Sequence, residues 1–225
     1  MSLSAPFALV SSLMVIGWVC RAIERAGGAG RRPAVWLFGA LWLTIPSAVA
    51  AAGFLTDFGA TPPRMLLVLP AVLGAAALFA FSGWGRAGRD HFSMAALIGF
   101  QSFRVLPETL LMLAYGEGLV PIQMTLEGRN LDIISALLAA GIYLCWRRAP
   151  GGVPRWAALG FSVVGLGLLA NIVGIAVLSM PTPFRAFWNE PANTFVATFP
   201  YILLPTVHVA AALGGHLIVL RKLWR

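Results

Sequence analysis

Long apolar runs, each about as long as a membrane-crossing helix and each bounded by short basic or Pro/Gly-rich stretches, constrain this chain more than any other feature. A bilayer hydrocarbon core is about 30 Å thick, so a helix rising about 1.5 Å per residue needs about 20 residues to cross it. On that ruler the runs predict spans at 4–22, 34–55, 65–83, 92–115, 131–146, 156–180 and 195–220. The fifth is short, and its start at Leu131 and Asp132 falls below the outer interface. Composition agrees: 59% of the 225 residues are hydrophobic and 11% are charged, against about 25% charged in soluble domains. The short alternating strands of a barrel are absent from the pattern. The expected fold class is therefore all-α, a polytopic transmembrane helix bundle of about seven spans, forming one integral membrane domain over 1–225 with no soluble domain at either end. Pro46, Pro70, Pro107, Pro200 and Pro205 fall inside spans, where each removes a backbone donor and predicts a kink.

Alternate connections differ sharply in charge, which sets an orientation, because basic loops stay in the cytoplasm during insertion. Arg21, Arg25, Arg31 and Arg32, then Arg86 and Arg89, then Arg147, Arg148 and Arg155, and finally Arg221, Lys222 and Arg225 share one side with only Glu24 and Asp90. The other side holds Arg64, Arg129 and Arg185 against Asp57, Glu117, Glu127, Asp132 and Glu190. The expected topology has the amino terminus outside and the carboxyl terminus in the cytoplasm. Trp18, Trp36, Trp84, Trp146, Trp156 and Trp224 all fall near the cytoplasmic interface of that arrangement, where indole rings prefer to sit. Abundant Arg, Ala and Gly beside a single Lys is the habit of a GC-rich bacterial genome, so the expected location is a bacterial inner membrane.

The formal charge of +8 does not imply nucleic acid, because the cations are dispersed as topology signals. The expected partner is the bilayer itself. Cys20 and Cys145 both fall near cytoplasmic helix ends, which argues against a disulfide. The first apolar run lacks the basic leader of a cleaved signal and is expected to be retained.

Chemistry is concentrated in the fourth span. Gln101, Arg104 and Glu108 are spaced i, i+3, i+7 and at about 100° per residue share one face. A charge at mid-bilayer costs from about 2.5 to more than 10 kcal/mol, so this stripe must meet protein or water, and the i, i+4 spacing lets Arg104 and Glu108 pair. Asn171 in the sixth span and His208 in the seventh lie at comparable depth. Together with the stripe they outline a possible substrate-binding cavity. Each also has a plainer explanation as helix-to-helix hydrogen bonding, and the glycines of the sixth span, including Gly165, suit close packing. The outer loops carry Glu127, Arg129, Asp132, Arg185, Trp188 and Glu190, which suit either a salt-bridged lid or the gate of a ligand entrance. Asn130 and Asp132 also suit capping of the fifth span.

Several chemistries are excluded. The single lysine, Lys222, is at a helix end and cannot form a mid-membrane retinal Schiff base. His208 and His216 are separated by about 12 Å of helical rise and cannot chelate one ion, so no metal site is expected, and three histidines are too few for paired haems. Phosphate-binding Gly-Lys-Ser/Thr, His-Glu-x-x-His and Cys-x-x-Cys motifs are absent. No cofactor or catalytic residue is singled out, and the oligomeric state is open. The leading expectation is binding, and in its stronger form transport, of a small molecule or ion in an outward-opening polar cavity. An intramembrane enzyme acting on a lipid-like substrate, with Glu108 or His208 as acid/base, and a scaffold or assembly subunit are the alternatives.

Overall fold

The computed structural model describes residues 2–27 and 32–224; Met1, Arg31 and Arg225 lie outside the described residues. All regular structure among the described residues is helical. The helices are α1 (Ser4–Gly27), α2 (Arg32–Ala51), α3 (Arg64–Phe81), α4 (Gly83–His91), α5 (Met94–Phe100), α6 (Val105–Gly116), α7 (Ile133–Trp146), α8 (Arg155–Leu178) and α9 (Ala210–Leu223). Among the described residues, six helical stretches are long and apolar enough to cross a membrane: α1, α2, α3, Met94–Gly116, α8 and Leu204–Leu223. The chain thus has the build of a multi-pass membrane protein. Large side chains such as Leu78, Leu137 and Val163 are more than 60% exposed on the bundle's outside, a display that water would penalise and lipid would not.

Local chemistry accounts for the boundaries. Gly53, at φ +71°, turns the chain after α2, since a left-handed residue cannot continue the helix. Between α3 and α4 the Ser82 hydroxyl caps the amides of Trp84 and Gly85 at 3.2 and 3.3 Å. A Cβ on Gly85 would lie 2.3 Å from the Ala80 carbonyl oxygen, so this corner needs glycine. The sequence pattern did not mark α4 as a separate helix. Ser93 caps the next one through Ala96 N at 3.2 Å.

Two spans depart from expectation. The seventh, predicted over 195–220, becomes continuous only at Leu204. Pro200 and Pro205 lack backbone donors, so 195–203 forms a short 3-10 helix and turns, buried apart from Thr198 and Phe199, and Leu204–Val209 is π-helical. The fifth has 14 helical residues, a rise of about 21 Å against a core of about 30 Å. Its missing depth is filled by the preceding loop, in which Gln123, Met124, Thr125 and Asn130 are all buried. Non-helical backbone is tolerated at such depth where protein surrounds it. The loop satisfies its own amides: Thr125 N bonds Ile122 O at 2.9 Å and Arg129 N bonds Gln123 O at 3.2 Å. A Cβ on Gly128 would sit 2.2 Å from the Ile122 carbonyl oxygen, so the loop closes only around glycine there.

α9 packs against α3, α4, α5 and α8, while α1 packs against α2, α4 and α6, so α9 occupies the interior. At one end of the bundle the loop 117–132 meets the segment 179–194, through Gln123 Nε2 donating to Ser179 Oγ at 2.9 Å. At the other, Lys222 meets the carbonyls of Arg89 and Phe92. The acidic and basic connections are in this way segregated to opposite ends.

Candidate functional site

The fourth span does not run as one α-helix. Pro107 cannot donate to the carbonyl four residues back, and the chain tightens into a 3-10 turn over Gln101–Arg104 between α5 and α6. The three polar side chains of the expected stripe are all buried in protein and take separate partners. Gln101 Nε2 donates to Ala212 O of α9 at 2.9 Å. A Cβ on Gly215 would lie 2.3 Å from that amide nitrogen, so α9 and the 3-10 turn touch through glycine.

Arg104, 1% exposed, pairs with Asp132 rather than with Glu108. Its Nε donates to Asp132 Oδ2 at 2.8 Å and its Nη2 to Asp132 Oδ1, a bidentate arrangement. Its Nη1 donates to Gly165 O and to His216 Nε2, both at 3.1 Å. A guanidinium has no acceptor, so His216 Nε2 accepts and the ring carries its proton on Nδ1. Four of five guanidinium N–H groups are therefore directed at protein. Gly165 makes this possible, because a Cβ there would stand 2.4 Å from His216 Cε1 and 3.3 Å from Arg104 Nη1. Phe161 stacks on His216 with ring centroids 5.0 Å apart.

Glu108 stands apart from the ion pair. Its Oε2 accepts from Asn130 Nδ2 at 2.7 Å. Asn130 also donates to Met124 O at 3.2 Å and accepts from Asp132 N at 3.1 Å, so one amide ties both acids to the loop. Glu108 Oε1 has no hydrogen-bond partner, and the carboxylate no ion-pair partner, among the described residues. Glu108 lines a cavity of about 80 Å³, together with Arg104, Asp132 and His208, and the rest of the wall is apolar, from residues such as Leu69 and Ile172. That space holds roughly half a dozen water-sized volumes. His208 faces α1, its Nε2 lying 3.2 Å from Ser12 Oγ and 3.4 Å from Ser11 Oγ.

The other expected residues lie at the loop-rich end. Asn171 is exposed and fastens the loop by donating to Arg129 O at 2.9 Å. Asp132, expected in the gate, lies in the buried ion pair because the loop dips into the bundle. Arg185 pairs with Glu190 at 2.9 Å and stacks 5.1 Å from the Trp188 ring, a clasp within one loop. Arg129 stands over Phe187 at 5.4 Å, and Glu127 is exposed. His216, Asn130 and Ser135, whose hydroxyl reaches Asp132 at 3.4 Å, complete the site without having been singled out for it. No group of three or more His, Cys, Asp or Glu among the described residues is arranged to hold a metal ion.

No protein-family model, curated protein or solved structure matches this chain.

Proposed function

We propose that this chain is a bacterial inner-membrane protein, with its amino terminus outside and its basic connections in the cytoplasm, that binds a small molecule carrying a cationic or hydrogen-bond-donating group. The site is the cavity between α3, α6, α8 and the π-helical turn. Glu108 is the ligand contact. The observation that carries this reading is a carboxylate oxygen without a protein partner on an otherwise largely apolar wall, beside a guanidinium with four of its five N–H donors engaged by protein. Arg104, Asp132, Asn130 and His216 are positioning residues: they anchor the loop that presents Asn130 to Glu108. His208 supplies a second polar point on the wall, while Glu127 lies outside the wall and Asn171, Arg129, Arg185, Trp188 and Glu190, also outside it, fasten the loops at the loop-rich end.

A cavity of about 80 Å³ suits about five or six non-hydrogen atoms, so n-butylammonium and butyrate, of nearly equal size, are probes of opposite charge. With the protein in nanodiscs, n-butylammonium raises the thermal unfolding midpoint by mass action. Butyrate does not, and Glu108→Gln abolishes the shift without lowering the unliganded midpoint by more than a few degrees. An equal shift in Glu108→Gln, or a shift with butyrate alone, contradicts the proposal.

A further inference from the structure

A second, larger cavity of about 300 Å³ lies at the basic end of the bundle, among α1, α2, α3, α4, α5 and α9. That volume is at the lower end of the ordinary small-molecule range of about 300–1,000 Å³. None of its lining residues is charged; aromatic rings such as Phe38, Phe79, Trp84 and Phe100 face small residues such as Ala76 and Gly214. Along α9 the lining runs from Val207 to Ile218, about 16 Å of rise at about 1.5 Å per residue. Half of a hydrocarbon core of about 30 Å is about 15 Å, so the cavity has the length of one leaflet.

A cationic cluster adjoins it. Lys222 Nζ donates to the carbonyls of Arg89 at 2.6 Å and Phe92 at 2.8 Å, and Phe92 itself lines the cavity. Arg221 donates to the Ala80 carbonyl, stacks 4.7 Å over Phe81 and stands within electrostatic range of Arg86 and Arg89. Arg86 is exposed on α4 and makes no ion pair among the described residues. Asp90, bonded to Arg89 at 2.8 Å, is the acid in this group. An apolar slot of one leaflet's length below a net positive rim fits one chemistry.

We propose that this cavity takes one acyl chain of an anionic phospholipid from the leaflet at the basic end, with the lipid phosphate held by Arg86 and Arg221. The inference rests on the membrane reading and not on the Glu108 cavity, which is lined by different residues. Gly88 offers the decisive variant, because it lines the cavity and a Cβ there meets nothing within 4 Å.

The test is native mass spectrometry of protein released from nanodiscs of equal phosphatidylglycerol and phosphatidylcholine. Wild type retains phosphatidylglycerol in preference to phosphatidylcholine, Gly88→Leu loses the retained lipid, and Arg86→Gln lowers the preference about fivefold, the share of one surface cation. Inorganic phosphate alone gives no adduct, which separates lipid from free anion. Glu108→Gln leaves the retained lipid unchanged, so failure here and failure of the ligand site are told apart. Retention that is equal for both lipids, or that survives Gly88→Leu, overturns the proposal. Should Gly88→Leu fail to fold, the lipid ratio in Arg86→Gln decides alone, and an unchanged ratio overturns it.

Discussion

Arg104 and Asp132 hold each other in a bidentate pair inside the bundle, and the energetics of such pairs are asymmetric. Removing one partner leaves a buried uncompensated charge, which costs about 3–5 kcal/mol, whereas replacing both with apolar groups of similar volume is often close to neutral. Asp132→Ala should therefore destabilise the protein by about that amount, and Arg104→Met with Asp132→Leu should recover most of it, as measured by unfolding in mixed micelles. Glu117 makes a second residue-scale case. It receives Leu3 N at 2.6 Å, Ser4 N at 3.0 Å and the hydroxyls of Ser2 and Ser4, and so caps the amino end of α1. The Ser4 hydroxyl, first among these bonds, holds the carboxyl down to about 2. A depressed carboxyl stabilises the fold fully above its ordinary range near 4.5 and loses that contribution as pH falls through about 2. Carbon NMR of labelled glutamate should find the Glu117 midpoint near 2 in wild type and closer to the ordinary range in Ser4→Ala; identical midpoints would contradict the cap. Nothing in the sequence around Glu117 pairs it with Ser4, because the two are more than 100 positions apart.

At the scale of elements, the spans themselves were visible as apolar runs, while their interruptions were visible only as isolated prolines and glycines. Pro107 marked a kink, and the structure turns it into the 3-10 segment that sends Gln101, Arg104 and Glu108 to different partners. Gly165 belonged to a glycine-rich helix face that packing alone would explain, yet it is the point where His216 and Arg104 approach α8. Gly165→Ala should force both side chains away, lowering the unfolding midpoint, whereas Ala at Gly167, which meets nothing within 4 Å, should be silent or mildly stabilising. Equal effects at the two positions would refute the close-approach account. From the ends that meet in the structure, Arg104 lies about 15 Å along its span, His216 about 10 Å and His208 about 22 Å. The histidine nearer Arg104 in level is thus the one bonded to it, and His208 matches Glu108. The dipping loop was signalled only by the shortness of the fifth span, since its burial depends on Asn130 and Gly128 contacts that no periodicity encodes.

For the whole molecule, a multi-pass helical architecture followed from run length and composition, because lipid permits few other ways to satisfy a backbone. In a bilayer, apolar burial does not drive helices together, so close contacts and buried hydrogen bonds must do so. The molecule accordingly places glycine where α9 meets the 3-10 turn and α8, and gathers Arg104, Glu108, Asp132, His208 and His216 on one cavity wall and the layer beneath it. The basic and acidic connections at opposite ends agree with the proposed orientation, which puts the Glu108 cavity towards the outer end and the lipid slot at the cytoplasmic face. The central claim is that Glu108 contacts a ligand while Arg104 is held by protein. It is tested most directly by calorimetric titration of n-butylammonium into wild-type protein and Glu108→Gln in nanodiscs. Loss of a hydrogen bond to a charged group, about 1.5–3 kcal/mol, predicts an affinity about 10- to 150-fold weaker in the variant. Equal affinity in the two proteins, or no heat of binding in wild type, would contradict the account.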